Sequence, residues 1–208
     1  MTWARAAVWA RYDSTGLEFA DIACTPTHLS AEGVAIADEP LPYRIDYTLE
    51  TGPEFVTSRL QVTCRGERWR RVLDLRRSAA GAWTIDADGD GEVDLPAPGG
   101  DPVGLHEALD CDLALSPVTN LMPILRDDLL VGGGPVELVT AWVSVPDLSV
   151  RADGQRYSFV RSDEHSSVVT YEAVDGSFSA QITLDRDGVV IDYPGIARRL
   201  DGPVAPKA

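Results

Sequence analysis

The sequence predicts a mainly β fold: a large antiparallel sheet, or an incompletely closed barrel, of about a dozen strands or more wrapped around one short central α-helix. Apolar and polar residues alternate in many short segments, which is typical of strands with one buried face. Turn signals built from Asp, Gly and Pro separate these segments at the spacing of hairpins. One stretch, residues 111–130, changes from alternation to helical spacing, and a lone apolar helix needs a sheet on which to pack.

The first half of the chain has the pattern of successive antiparallel strands. Residues 3–12 are compatible with a strand or a short helix, and residues 26–42 with an irregular meander broken by Gly and Pro. Residues 43–50 alternate most regularly, and residues 56–64 return after a Thr-Gly-Pro turn to complete a hairpin. Further strands are predicted at residues 17–19, 69–75 and 83–85.

An acidic segment, DADGDGEVD at residues 86–94, contains the aspartates of a calcium-binding loop. Asp86, Asp88 and Asp90 occupy the first, third and fifth loop positions, but Ala97 stands where an EF-hand needs its bidentate Glu. The Pro- and Gly-rich sequence that follows does not predict an exiting helix. We therefore interpret the segment as a solvated turn and expect no metal site.

Residues 111–130 are predicted to pass from a strand into the helix. Cys111 and Leu113 share one face of the strand, and Asp112 lies on the other. Ser116 has the chemistry of a helix N-cap, and the Pro that follows it suits the first turn. Pro123 removes a backbone donor, so it lies in the first helical turn or kinks the helix.

The second half of the chain repeats the pattern of strands and turns. Strands are predicted at residues 136–145, 156–162, 168–172, 178–185 and 189–193. The Asp-Gly turns between them are expected at residues 152–154, 175–176 and 187–188. We expect a single domain over residues 1–208, with a loosely ordered tail at residues 201–208.

Composition restricts the expected partners and compartment. The 18 basic and 33 acidic residues give a net charge of −15, which repels phosphate backbones, so we expect no nucleic-acid partner. Cys24, Cys64 and Cys111 lie in apolar segments and are expected to be reduced core residues. The sequence has neither a transmembrane segment nor the apolar core of a secretory signal, so we expect a cytoplasmic protein.

Common catalytic and cofactor motifs are missing, and no cofactor is predicted. The sequence lacks G-x-S-x-G, H-E-x-x-H, and the phosphate- and dinucleotide-binding patterns. The carboxylates of interest are flanked by apolar residues: Glu18, Asp112 and Asp192. Such residues normally face solvent, but in a sheet curled around a helix they can face a cavity, and Asp112 is the best candidate. Asn120 and Arg126 on the following helix are placed to hold Asp112 or to share its ligand.

Several segments resemble the glycolipid-binding family of bacterial proteins. They are CDLALSPVTNLMPI at residues 111–124, QRYSFV at 155–160, LPYRIDY at 41–47, and the segment 169–200 with its ending DGVVIDYPGIARRL. The resemblance covers nearly the whole chain. After the helix start the family pattern continues P-I-R-R-L, whereas this chain has Leu125 in place of one of the two arginines.

The resemblance implies a sheet wrapped around one helix, distantly similar to bacterial lipoprotein carriers, a tight homodimer, and an acidic pocket. On this basis we expect non-enzymatic binding of a glycolipid, or a related lipid or sugar, between sheet and helix. The expected ligand-binding residues are Glu18, Asp112, Asn120, Arg126, Tyr171 and Asp192. Two alternatives remain: an enzyme that acts on a glycoconjugate through an acid pair such as Asp112 and Asp192, and a dimeric structural protein without a ligand.

Overall fold

A computed structural model of the protein describes residues 2–12 and 14–200. In these residues fourteen strands form one sheet, in the order β7 to β1 followed by β14 to β8. Every neighbouring pair is antiparallel except β8 and β9, which are parallel. The strands are β1 (Trp3–Arg11), β2 (Gly16–Cys24), β3 (Leu29–Ala37), β4 (Tyr43–Thr51), β5 (Thr57–Gly66), β6 (Trp69–Arg77), β7 (Trp83–Gly91), β8 (Asp110–Leu113), β9 (Val136–Val143), β10 (Val150–Ser162), β11 (Ser166–Ala173), β12 (Ser179–Asp185), β13 (Val190–Tyr193) and β14 (Ala197–Arg199).

The predicted fold class is confirmed: one open, mainly antiparallel sheet curves around one short helix. The chain brings edge strand β8 back to β5, where the Thr57 amide donates to the Leu109 carbonyl at 3.2 Å and the Thr57 hydroxyl accepts from the Cys111 amide at 2.8 Å. The apolar face of β8 therefore joins one of the two buried clusters. Cys111 and Leu113 join the core of β1–β7, whereas a second core forms over β9–β13.

The helix α1 (Leu121–Arg126) lies between the two cores and is shorter than its sequence pattern predicts. Its residue Met122 packs in the first core, and Ile124 packs in the second. A 3₁₀ turn, Pro117–Asn120, precedes it, and we call Ser116 together with this turn the 116–120 segment. Pro123 lies in the first turn of α1, where its missing N–H costs no helical hydrogen bond.

Three local predictions are wrong, and in each case small or polar residues occupy a strand. The meander predicted at 26–42 contains β3, whose inward positions are mainly alanines and Gly33. The turn predicted at 86–94 is mostly β7, with its exposed aspartates all on one side. The turn predicted at 152–154 lies inside β10. Asp and Gly are rare in strands, so these segments mimic turns in the sequence. The tail predicted at 201–208 lies outside the described residues.

Gly33 allows the ring of Tyr47 to cross β3, and its replacement tests this packing. A Cβ at position 33 would lie 2.2 Å from Tyr47 Cζ. We expect Gly33→Ala to displace the ring and lower the free energy of unfolding by about 1–3 kcal/mol, measured by urea denaturation. Gly104→Ala is the control, since a Cβ there meets nothing within 4 Å. Equal effects of the two substitutions would contradict this packing.

Candidate functional site

The candidate site is built around Asp112, which β8 directs to the side opposite Cys111 and Leu113. One oxygen of its carboxyl accepts a hydrogen bond from the Thr119 hydroxyl at 2.8 Å. The other accepts from the Gln155 amide nitrogen at 2.6 Å. Burial raises the pKa of Asp112, and these two hydrogen bonds act against that rise. The site therefore contains a carboxyl group held in place by groups from two elements.

A buried polar network continues from Asp112 toward the helix. The Tyr157 hydroxyl donates to Asn120 Oδ1 at 2.8 Å, and it lies 3.4 Å from Gln155 Oε1. The amide of Asn120 donates in turn to the Pro117 carbonyl at 3.3 Å. All of these side chains are buried, so their hydrogen bonds fix the geometry around the carboxyl.

Aromatic rings form one wall of the second core beside this network. Tyr171 lies with its ring centroid 5.3 Å from that of Tyr157 and 5.9 Å from that of Tyr193. Phe178 packs against both Tyr171 and Tyr193 at about the same spacing. The hydroxyls of Tyr171 and Tyr193 have no hydrogen-bond partner among the described residues. Burial and, after it, the neighbouring charge of Asp112 raise the pKa of Tyr171.

A half-buried tryptophan lies next to Asp112 on the same side of the sheet. Trp142 pairs with Asp112 in the parallel register of β8 and β9. The guanidinium of Arg151 stacks over the Trp142 ring at 4.4 Å and also contacts Asp153 at 2.6 Å. Asp153 lies close enough to contribute to the raised pKa of Asp112. Carboxyl, aromatic and cationic groups thus surround the site.

The sequence suggested that Arg126 holds Asp112. In the structure Arg126 instead forms a bidentate ion pair with Asp110. The two guanidinium–carboxyl distances are 2.6 and 2.7 Å, and Asp110 is 1% exposed. Burial raises the pKa of Asp110, and the contact with Arg126 acts against that rise. A cavity of about 640 Å³ borders this pair, with lining residues that include Arg126, Asp127, Leu138, Val139, Gly154 and Val174.

Glu18 faces the interior, while its apolar neighbours Leu17 and Phe19 face outward with 43% of their surface exposed. One carboxyl oxygen of Glu18 accepts from the Tyr47 hydroxyl and the Ser116 hydroxyl, each at 2.6 Å. Burial raises the pKa of Glu18 to about 7. Glu18 is therefore linked to the site through Ser116. The Ser116 hydroxyl bonds to Glu18 and caps no helical N–H.

Asp192 is separated from the Asp112 network. It accepts a hydrogen bond from the half-exposed Tyr12, on the face of β13 opposite the buried Tyr193. The structure therefore does not bring Asp112 and Asp192 together as an acid pair.

A second acidic surface lies on the outside of the sheet. A groove of about 750 Å³ crosses the outer side of β2 to β7 and is lined by Asp21, Glu32, Asp46, Asp74, Asp86 and Asp88, among others. Arginines already pair with two of these groups, Asp46 and Asp74. Among residues 2–12 and 14–200, no group of three or more His, Cys, Asp or Glu side chains is placed to hold a metal ion.

Comparison with known proteins identifies the family. The family model described as "Putative glycolipid-binding" matches residues 6–199. The chain belongs to this glycolipid-binding family. No curated protein matches it.

Two solved structures resemble the chain. A DUF1089 family protein from Pseudomonas aeruginosa is 28% identical, with 96% of this chain and 98% of that chain covered and a TM-score of 0.67. A beta-barrel-like DUF1849 protein from Brucella abortus is 10% identical, with 94% and 92% covered and a TM-score of 0.47. Within the described part of this member of the glycolipid-binding family, no helix is long and apolar enough to cross a membrane.

The structure brings together three of the six predicted site residues, Asp112, Asn120 and Tyr171, within one polar and aromatic region. Sequence reasoning missed Asp110, Thr119, Gln155 and Tyr157. Asp110 could have been found from the sequence, because it lies two residues before Asp112 and therefore on the same face of the strand. Gln155 and Tyr157 alternate in QRYSFV, but their pairing with Asp112 and Asn120 spans 43 and 37 residues of sequence.

Proposed function

We propose that the protein binds a glycolipid, or a related lipid–sugar molecule, in the region around Asp112 without chemical conversion. The observation that carries the proposal is a fixed, partly buried carboxyl beside aromatic rings whose hydroxyls have no partner among the described residues. Membership of the glycolipid-binding family supports the ligand class.

The sugar part matches the polar side of the site. A carboxylate offers about four acceptor positions, and in Asp112 protein donors use two of them. Sugar hydroxyls donate well to the rest, and the hydroxyls of Tyr171 and Tyr193 add groups that both donate and accept. Aromatic rings also pack against the apolar faces of sugar rings. The site therefore favours a neutral, hydroxyl-rich head group over an anionic one.

The lipid part matches the apolar surface nearby. The lining of the cavity of about 640 Å³ beside Arg126 includes the apolar residues Leu138, Val139 and Val174, as well as the acidic residues Glu107, Asp127 and Glu137. Burial of an alkyl chain contributes about 0.8 kcal/mol per CH₂ before ordering costs, so an eight-carbon chain gives roughly 6 kcal/mol. We propose that the chain lies in this cavity while the sugar contacts Asp112.

We also propose that the protein is a homodimer that acts in the cytoplasm. An exposed apolar patch on the outer face of β2 and β3 supports self-association, because Leu17 and Ile36 are direct cross-strand neighbours beside Phe19. Three buried free thiols are compatible with a reducing compartment.

Native mass spectrometry of gently purified protein tests the proposed ligand and assembly. We expect a dimer that carries a bound species, and extraction should identify this species as a lipid with a sugar head group. A protein that is free of lipid, and that takes up no member of an added glycolipid panel, would contradict the proposed function. Turnover of an added glycoside would favour an enzymatic function instead.

A further inference from the structure

Glu18 is a buried acid that lies outside the proposed ligand-binding region around Asp112. Its side chain is 5% exposed and lies on the inner face of β2. Tyr47 reaches it across Gly33, and Ser116 reaches it from the chain segment before the helix. Glu18 thus joins the sheet of the first core to the segment that leads into the candidate site.

Two side-chain hydrogen bonds and the backbone of the 116–120 segment between them connect Glu18 to Asp112. The Ser116 hydroxyl donates to Glu18 at 2.6 Å. The Thr119 hydroxyl lies 3.2 Å from the Ser116 carbonyl and donates to Asp112 at 2.8 Å. Asn120, in the same 3₁₀ turn, accepts from Tyr157. A displacement of the 116–120 segment would therefore disturb both Asp112 and Asn120.

We infer that Glu18 is a positioning residue: its buried carboxyl seats the 116–120 segment, and the gain or loss of one proton at Glu18 controls how firmly the segment holds the Asp112 site. The seating itself is independent of any ligand. Its effect on binding rests on the proposed function.

The neighbours of Glu18 stabilise its charged form, but by less than burial destabilises it. Arg11 from β1 acts on the carboxyl electrostatically but forms no ion pair with it, and β4 contributes the titratable groups Tyr43 and Tyr47. From β3 come Gly33 and Ala35, which do not titrate, and the segment before α1 contributes the Ser116 hydroxyl. Displacement of the 116–120 segment would admit water to the carboxylate, which relieves its desolvation.

The sign of the pH effect follows from linkage. The pKa of Glu18 is about 7 when the segment is seated, against 4.5 for an exposed glutamate. The seated state therefore binds a proton that the displaced state has lost, and the seating weakens as pH rises from about 4.5 to 7 and stays constant above that. Over this range the displaced population should increase by about 100-fold.

Hydrogen–deuterium exchange of peptides covering the 116–120 segment tests the inference without any ligand. Rates measured between pH 5 and pH 8, corrected for intrinsic chemistry, should show the displaced population of the wild type rising by about 100-fold before it levels off. Glu18→Gln retains the acceptor oxygen but cannot ionise, so most of this rise should disappear. An equal rise in the variant would overturn the inference, as would a flat wild-type profile.

Two further measurements separate a positioning role from a merely structural one. Ser116→Ala removes the hydroxyl that connects the segment to Glu18 and should increase hydrogen exchange of the segment at pH 5. Tyr47→Phe removes the other donor to Glu18 and should leave that exchange unchanged. Equal exchange in Ser116→Ala and the wild type would overturn the connection. Asp112 also titrates, so the effect of Glu18 on binding is measured by comparison with Glu18→Gln. The ratio of the n-octyl glucoside affinity at pH 7.5 to that at pH 5.5 should be lower in the wild type than in Glu18→Gln. Equal ratios in the two proteins, with a pH-dependent segment, would overturn the effect on the site. Failure of the glucoside to bind at either pH would count against the proposed function, and the exchange profile would still decide the role of Glu18.

Discussion

Replacement of Arg126 by Met will lower the free energy of unfolding by about 3–5 kcal/mol, because it leaves a buried carboxylate without its partner. Asp110 is 1% exposed, and Arg126 supplies both hydrogen bonds that its carboxyl receives from side chains. Burial already raises the pKa of Asp110, and loss of the guanidinium will raise it further. Urea denaturation at pH 8, where the penalty for an unpaired carboxylate is largest, measures the effect.

A matched surface pair provides the control for this prediction. Arg156 contacts Glu137 at 2.7 Å, but the two side chains are 47% and 57% exposed. Arg156→Met should therefore cost less than about 1 kcal/mol. The double substitution Asp110→Asn with Arg126→Met should recover part of the lost stability, because no buried charge remains. Equal losses for Arg126→Met and Arg156→Met would show that the Asp110 pair contributes no more than a surface ion pair.

The second large effect is expected on binding, where Asp112→Asn will weaken the affinity for n-octyl glucoside by about 10- to 100-fold. A charged acceptor contributes about 1.5–3 kcal/mol to a hydrogen bond with a sugar hydroxyl, and the amide has one acceptor oxygen in place of two. Isothermal titration measures the affinity. Asp192→Asn at a half-buried position is the control, since the Asp192 side chain lies on the face of β13 opposite Tyr193 and contacts Tyr12 instead of the Asp112 network.

Asp112→Asn should leave the protein at least as stable as the wild type at pH 8. The pKa of Asp112 is raised in the folded state, so the folded protein gains stability below the unfolded pKa and loses it as pH rises through the folded pKa. The neutral amide of the variant would avoid that loss. Weaker binding together with unchanged or greater stability would show that the Asp112 carboxyl acts in ligand binding. A large loss of stability would show that Asp112 has a structural role.

The alternation of apolar residues was sufficient to predict the sheet and the single helix. It failed at β3 and β7, where inward positions are held by Ala and Gly and where Asp residues line the outer side. In those strands the apolar alternation that indicates burial is weak. They join the sheet because β2 and β4 complete the backbone hydrogen bonds of β3, and β6 pairs with β7. Tertiary pairing therefore overrides local composition.

The candidate site was only partly predictable, because its contacts join distant segments. Asp112 and Asn120 are close in sequence, so strand-to-helix geometry placed them together. The partner of Arg126 was misassigned, because Asp110 and Asp112 share one face of β8 and their distances to α1 depend on the curvature of the sheet. The orientation of Glu18 was ambiguous, since its neighbours Leu17 and Phe19 belong to an exposed apolar patch.

The most direct test of the proposed site is photo-crosslinking with an octyl glucoside that carries a diazirine on its sugar ring. Labelled peptides, mapped by mass spectrometry, should contain Asp112, Tyr171 or Tyr193, and excess unlabelled octyl glucoside should abolish the labelling. Labelling confined to the outer groove, around Asp21 and Asp88, would contradict the account and move the binding site to the other face of the sheet.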